Sequence, residues 1–281
     1  MTDVVQDQVW FITGANSGFG LALSKAVLTR GGRVAAAVRS PYGQAVATLQ
    51  DLGKGRLHVV RLDVTDTQDV HAAVDEAVEH FGHLDVVVNS AGRGSFGSLE
   101  ETPDAEVRDL FEVNLFGSLN LIRAVLPILR SQRHGHLVQI SSLAGIAPPA
   151  PGLAAYAATK FAVEGISEVL AKEVAHLGIG VTIVEPGDFR TGFGNSLHVT
   201  APALPDYAES VGAAGRTFAS MDPTQLGDPD NAAAVFVDAV TSAHPPLRLA
   251  LGEDAIEGIK TKLADQLVDA QAWEAVGRGM R

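Results

Sequence analysis

The chain has 281 residues, 46% of them hydrophobic and 19% charged, enough for one domain with a large core and too apolar for a disordered chain. A net charge of −12 and a pI near 5.1 argue against nucleic-acid phosphates as partners. With no cysteine, disulfides, thiolate catalysis and Cys-ligated zinc are excluded.

The N-terminus Met1-Thr2-Asp3-Val4-Val5-Gln6-Asp7 carries acids and no basic stretch, so it does not read as a secretory signal. No apolar run reaches the ~20 residues needed to span a bilayer. The expectation is a cytoplasmic protein with no membrane partner. Apolar, strand-like runs at 9–13, 33–38, 57–62, 84–88, 137–140 and 179–184 alternate with helical patterns near 18–30, 42–52, 67–81, 103–131, 153–177 and 229–242. A shorter run follows at 247–251. The early runs are apolar on both faces, as in a parallel sheet covered by helices on each side. Strict β–α alternation predicts a single α/β domain over 1–281 with a doubly wound parallel sheet of about seven strands. Pro103 suits a helix start after Thr102. Between 187 and 227 the pattern breaks into Gly, Pro, Ser and Thr with scattered large apolar residues, among them Phe189, Phe193, Leu197, Phe218 and Met221. An insert of this kind predicts an irregular or helical substrate lid. From 252 to 281 the chain reads as a helical appendage.

Thr13-Gly14-Ala15-Asn16-Ser17-Gly18-Phe19-Gly20 joins the first strand to the first helix. Glycines there let the backbone approach a pyrophosphate, and the helix N-terminus supplies N–H groups and positive dipole. Gly14, Asn16, Ser17, Gly18, Phe19 and Gly20 are therefore candidate cofactor residues. An acid some 20 residues on would accept the ribose hydroxyls of NAD, but no acid occurs from Gln8 through Gln50. Arg39 follows the second strand instead, where a guanidinium would attract a 2′-phosphate. NADP(H) is thus preferred, with NAD(H) possible. Asp63 and Val64 end the third strand, where the adenine would arrive. Asn89, Ala91 and Gly92 end the fourth, where small residues let a cofactor pass.

Tyr156 and Lys160 lie four residues apart, on one face of a predicted helix. Taken alone, such a pair is common on helix surfaces. Beside a nucleotide loop it can be a proton donor and a cation that lowers the phenol's pKa toward the working pH. The nine histidines form no His-x-x-x-His pair and read as solvated, with no metal. Glu100 and Glu101 read as a charged helix start. In Gly94-Ser95-Phe96-Gly97, Phe96 is a candidate for the substrate mouth.

With these motifs in order, residues 8–190, and more loosely to about 250, resemble the short-chain dehydrogenase/reductase family. The resemblance rests on the glycine loop, Asn89-Ser90-Ala91-Gly92, Asn114, Ser142, Tyr156 with Lys160, and Pro186-Gly187 with Thr191. It implies a Rossmann-type sheet and an Asn114–Ser142–Tyr156–Lys160 site. Tyr156 would donate a proton to a carbonyl oxygen as hydride reaches the carbon, and Ser142 would hold that oxygen. Lys160 would also bind the nicotinamide ribose, and Asn114 would hold a relay water. Thr191 would orient the nicotinamide, with Pro186, Gly187 and Phe189 beside it. Arg39 with Ser17 looks like the NADP-preferring members.

Two departures matter. Ser90 stands where the family usually has a second Asn. Ser142 precedes Tyr156 by 14 residues, one more than expected, and Ser141 is an alternative to it. The extra residue falls in 147–152, a loop expected to border the substrate. Leu143, Pro149, Phe96 and Phe193 are the candidate substrate wall. The implied activity is NADP(H)-dependent interconversion of a ketone or aldehyde and its alcohol. A catalytically idle NADP-binding regulator and an epimerase are the alternatives. The implied assembly is a homodimer or homotetramer.

Overall fold

In the computed structural model, residues 5–191, 197–200, 204–221, 224 and 226–280 are described. The strands are β1 (Val9–Thr13), β2 (Arg33–Val38), β3 (Leu57–Arg61), β4 (Val86–Asn89), β5 (Ser95–Phe96), β6 (Gly135–Ile140), β7 (Ile179–Pro186), β8 (His198–Val199) and β9 (Arg248–Leu251). The helices are α1 (Gly18–Thr29), α2 (Gln44–Gly53), α3 (Thr67–Phe81), α4 (Asp104–Phe111), α5 (Gly117–Gln132), α6 (Ala154–Val174), α7 (Val211–Ser220), α8 (Pro229–Val240), α9 (Glu253–Ala272) and α10 (Glu274–Arg278). Seven strands form one parallel sheet in the order β3-β2-β1-β4-β6-β7-β9.

The two-faced apolar runs have the expected cause. On β1, Val9 and Phe11 pack into one core with Val74 of α3, Val125 of α5 and Leu170 of α6. Trp10 and Ile12 point the other way, into a second core with Leu23 of α1, Leu49 of α2 and Phe236 of α8. Every side chain of the central strands β1 and β4 is buried, so no polar alternation survives there. The order reverses between β1 and β4, and a crevice opens there at the strand C-terminal ends.

Two sequence expectations about the helices need correction. The predicted helix at 103–131 is a composite: α4 passes through a π-helical turn, Glu112–Phe116, into α5. Within the composite Asp104–Gln132, an 18-residue window reaches a mean hydropathy of 1.3, enough by length and composition alone to match a bilayer span. Its apolar stripe, including Leu121, Val125 and Leu129, instead packs on the sheet as a core helix does. Within the insert at 187–227 lie β8 and α7, and α7 packs Phe218 edge-on against Phe96. Finally, Glu100 and Glu101 precede α4 rather than start it. Their carboxylates bind this insert, at Tyr207 Oη and Leu204 N.

His136 also departs from the solvated reading. Its Nε2 bonds Thr182 Oγ1 at 2.8 Å, and burial pushes its pKa down to about 4.

Candidate active site

The loop after β1 fits the N-terminus of α1 closely against its neighbours. Gly14 (φ +63°) and Gly18 (φ +49°) occupy the left-handed region, which favours glycine. A Cβ on Gly20 would lie 2.4 Å from the Gly14 carbonyl oxygen, so no larger residue fits. Ser17 caps α1 by backbone alone, with no side-chain hydrogen bond to the first-turn N–H groups. Those donors therefore have no side-chain oxygen in front of them, as an anion site requires. Asn16 is half-buried in the same turn.

Across the crevice, Thr13 organises the loop after β4. Its Oγ1 accepts from Ser90 N at 2.9 Å and Ala91 N at 3.0 Å. Asn89 is turned inward: its amide donates to Gln139 Oε1 at 2.9 Å, and its Oδ1 accepts from Thr13. Its side chain thus ties strand ends together, and only its backbone remains for a ligand. Gly92 packs against Asn114 and Lys160; a Cβ there would lie 3.3 Å from Asn114 Oδ1 and 3.8 Å from Lys160 Nζ.

The π-helical turn carries Asn114, a place where such turns often mark functional residues. Asn114 is 2% exposed and clamps Arg93, accepting from its N–H and donating to its carbonyl, both at 2.9 Å. It also donates to Thr159 Oγ1 at 3.1 Å, and Thr159 in turn donates to the Tyr156 carbonyl. The side-chain amide therefore joins the β4 loop to α6. Its backbone carbonyl accepts from Ser118 Oγ.

Of the two adjacent serines, Ser142 is the one hydrogen-bonded to Tyr156. Its Oγ also accepts from Ala144 N at 3.1 Å, a bond that does not use its proton. Ser141 faces Glu164. Lys160 Nζ donates to the Ile140 carbonyl at 2.8 Å and lies 5.8 Å from the Tyr156 ring centroid. Burial pushes the Lys160 ammonium down to about 8, against the pull of Glu164.

Tyr156 behaves differently from the sequence expectation. Burial pushes its phenol up to about 12, with Ser142 working in the opposite direction. Lys160, whose Nζ lies 5.8 Å from the ring centroid, does not outweigh the burial. At neutral pH Tyr156 is therefore a protonated, buried phenol, the form that can donate.

A cavity of about 740 Å³ runs past these groups. Its lining joins Ser17, Gly18 and Phe19 to Ser142, Tyr156 and Lys160, and then to Phe96, Leu143, Pro149 and Leu153. The loop at 147–152 borders it as expected. Gly152 is required there: its φ is +93°, and a Cβ would strike the Phe96 ring at 2.7 Å. The opposite wall holds Pro186, Gly187, Phe189 and Thr191. Phe189 meets Phe19 edge-on at 5.1 Å, and Thr191 touches Gly18. Asp254 of α9 pins this turn by accepting from Asp188 N at 2.7 Å; a Cβ on Gly187 would collide with that carboxylate at 2.0 Å.

Arg39, Asp63 and Val64 lie outside the cavity lining, at the ends of β2 and β3. Arg39 is exposed and takes part in no hydrogen bond or ion pair among the described residues. Asp63 accepts from Thr65 N at 3.0 Å and Thr65 Oγ1 at 2.7 Å, and these bonds hold its carboxyl below the usual range. Val64 packs against Gly117 of α5. Phe193 lies outside the described residues. Sequence reasoning missed the supporting roles of Thr13, Thr159, Glu164 and Arg248, whose partners are distant in the chain.

The comparisons agree with this architecture. The family pattern described as short chain dehydrogenase matches residues 8–201. A short-chain dehydrogenase from Streptomyces avermitilis superposes with a TM-score of 0.90 at 39% identity, over 98% of this chain and 100% of its own. A short chain dehydrogenase/reductase from Burkholderia phymatum, solved in complex with NAD, gives 0.82 at 26% identity, over 96% and 97%. A 3-ketodihydrosphingosine reductase from Bacteroides thetaiotaomicron is 36% identical over 256 residues, 88% of this chain and 89% of its own. The chain belongs to the short chain dehydrogenase family, and its fold is the Rossmann-type α/β sheet of that family. It is an oxidoreductase, in a family that binds nicotinamide nucleotides and acts on small molecules.

Proposed function

We propose that the protein is an NADP(H)-dependent oxidoreductase that interconverts a ketone or aldehyde and its alcohol. The observation that carries this is the Ser142–Tyr156 hydrogen bond, placed with Lys160 on the wall of the cavity that the glycine loop shares. The bound nicotinamide nucleotide would supply or accept the hydride. The protein's own part in reduction is proton delivery: Tyr156 gives its phenolic proton to the carbonyl oxygen while Ser142 hydrogen-bonds that oxygen and steadies its developing charge. The Lys160 ammonium stabilises the phenolate that remains. Asn114 keeps the β4 loop and α6 in register for this exchange.

Arg39 supports the choice of NADP(H), because an exposed guanidinium after β2, near Asp63 but without a hydrogen bond or ion pair among the described residues, suits a 2′-phosphate. The Burkholderia relative holds NAD, so NAD(H) remains the second reading. Phe96, Leu143, Pro149, Phe218 and Met221 give the far end of the cavity an apolar lining. This favours a substrate with a sizeable apolar portion, in keeping with the name of the Bacteroides relative. The segment at 187–227 acts as the lid. Its base is tied by the Phe189–Gly227 bridge and its middle by the pairing of β8 with β5. Phe116, Phe161 and Val169, exposed on the π-helical turn and α6, support self-association through these helices, as a homodimer or homotetramer.

The test follows the NADPH and NADH absorbance with a panel of apolar ketones and aldehydes. Turnover of at least one carbonyl is expected. Tight nucleotide binding without any turnover would favour a regulator, and stereochemical inversion without net oxidation would favour an epimerase.

A further inference from the structure

Behind the Tyr156–Lys160 pair lies a group of ionisable side chains that the proposed reaction does not use. Glu164 follows Lys160 by one turn of α6 and is 4% exposed, and Glu185 on β7 is 2% exposed. Arg248, from the edge strand β9, reaches between them. Its Nη1 bonds Glu164 Oε2 at 2.6 Å and also Glu185 Oε1, while Nη2 bonds Glu168 Oε1 at 2.6 Å. One guanidinium thus serves three carboxylates, two of them buried, and a buried carboxylate that is not fully compensated holds its proton. Burial pushes Glu164 up to about 7, with Ser141 and Arg248 acting in the other direction.

The second oxygen of Glu164 is buried on the side of Ser141. Glu164 Oε1 and Ser141 Oγ face one another closely enough for the contact to hold the carboxyl down, yet neither atom completes a hydrogen bond of normal geometry. The proton in that contact is the Ser141 hydroxyl's own, so the contact favours the carboxylate. Gly145 covers the junction: a Cβ there would stand 2.6 Å from Ser141 Oγ and 3.2 Å from both Glu164 Cγ and Lys160 Cβ. The stem of Lys160, the neighbour of Ser142 and the Glu164 carboxyl therefore meet at one point with no room to spare.

We infer that Glu164 is a positioning residue: it stands between Ser141 and Arg248, helps fix Ser142 relative to Lys160, and sets a carboxyl one turn of α6 from Lys160. The inference rests on the carbonyl chemistry proposed above. The charged groups around Glu164 are Lys160 and Glu168 from its own helix, Glu185 from β7 and Arg248 from β9; the turn at Leu143–Gly145 contributes none. A carboxylate beside Lys160 favours the ammonium, and its removal favours the free amine.

The experiment compares Glu164→Gln and Ser141→Ala with wild type in two ways, with thermal midpoints recorded alongside. One is the pH profile of kcat for carbonyl reduction. The other is the Lys160 titration, followed by NMR of ¹³Cε-labelled lysine in the nucleotide-free protein and assigned with Lys160→Met. The Gln variant should move the alkaline limb and the Lys160 titration to lower pH by about half a unit or more, with the carbonyl KM within about twofold. Ser141→Ala should move both in the same direction by less, because Glu164 then holds its proton to higher pH. An unmoved limb and titration would overturn the inference, however far kcat falls. If Glu164→Gln fails to fold, Ser141→Ala decides in the same two readouts. If wild type turns over no carbonyl, the proposed function fails, while the Lys160 titration still decides this point.

Discussion

His136 offers a test of the fold that is independent of the proposed chemistry. It sits in β6 with Nε2 2.8 Å from Thr182 Oγ1, and Thr182 gives its own proton to the Pro246 carbonyl at 2.6 Å. The network therefore assigns the ring hydrogen to Nε2, which donates to Thr182. Protonation would have to occur at Nδ1, which packs over Gly180; a Cβ on that glycine would stand 2.3 Å from it. Burial is accordingly what lowers the pKa from 6.5 to about 4. The unfolded chain binds this proton below about 6.5 and the folded chain does not until about 4, so stability falls as pH drops through that window. At ~1.4 kcal/mol per pH unit, the loss between pH 7 and 4 is about 3 kcal/mol, and somewhat less because the ring is not fully covered. Glu164, held up at about 7, has the opposite sign in part of the same range, since its folded form binds the extra proton. The measurement is therefore a difference. Urea unfolding of wild type and His136→Gln at pH 7 and 4 should show the wild type losing about 2–3 kcal/mol more than the variant on acidification. Equal losses would refute the buried neutral imidazole.

Three further outcomes concern the site. Tyr156→Phe should lower kcat for carbonyl reduction by the ~10²–10⁴-fold of a lost general acid while nucleotide affinity, read by fluorescence titration, holds; near-wild-type turnover would remove Tyr156 from its role. Arg39→Asp should move the kcat/KM ratio from NADPH toward NADH by about tenfold or more, and an unchanged ratio would clear Arg39. Gly20→Ala should abolish nucleotide binding in calorimetry, because its Cβ meets the Gly14 carbonyl oxygen at 2.4 Å and must displace the start of α1; wild-type affinity would show that the loop adapts.

The sheet was legible because its physics is local and repetitive. Trp10 and Ile12 bury one face of β1 while Val9 and Phe11 bury the other, and that produces continuous apolar runs anyone can count. The glycine loop was legible because close backbone approach admits only one residue type at Gly20. The π-helical turn at Asn114 was not, because nothing in the spacing of its neighbours marks an extra residue in a helix. β5 and β8 escaped for a related reason: two-residue strands carry no alternation, and their pairing depends on contacts about a hundred residues apart.

The ionisable residues show why the site was less legible than the fold. Tyr156 and Lys160 were placed correctly on one helix face, and elementary electrostatics predicted that the cation would lower the phenol. That argument needs the cation's pull on the phenolate to exceed the cost of burying it, and it does not: Lys160 Nζ lies 5.8 Å from the ring centroid and donates to the Ile140 carbonyl at 2.8 Å. Burial then dominates both groups and moves them apart in opposite directions, the phenol up to about 12 and the ammonium down to about 8. The same geometry separates the two serines. Ser142 bonds Tyr156 and accepts from Ala144 N without using its own proton, whereas Ser141, one residue earlier on an extended backbone, faces the opposite way to Glu164. Spacing from Tyr156 could not distinguish them; the alternation of side chains about the strand end does, and it assigns one serine to the cleft and the other to the carboxylates behind it.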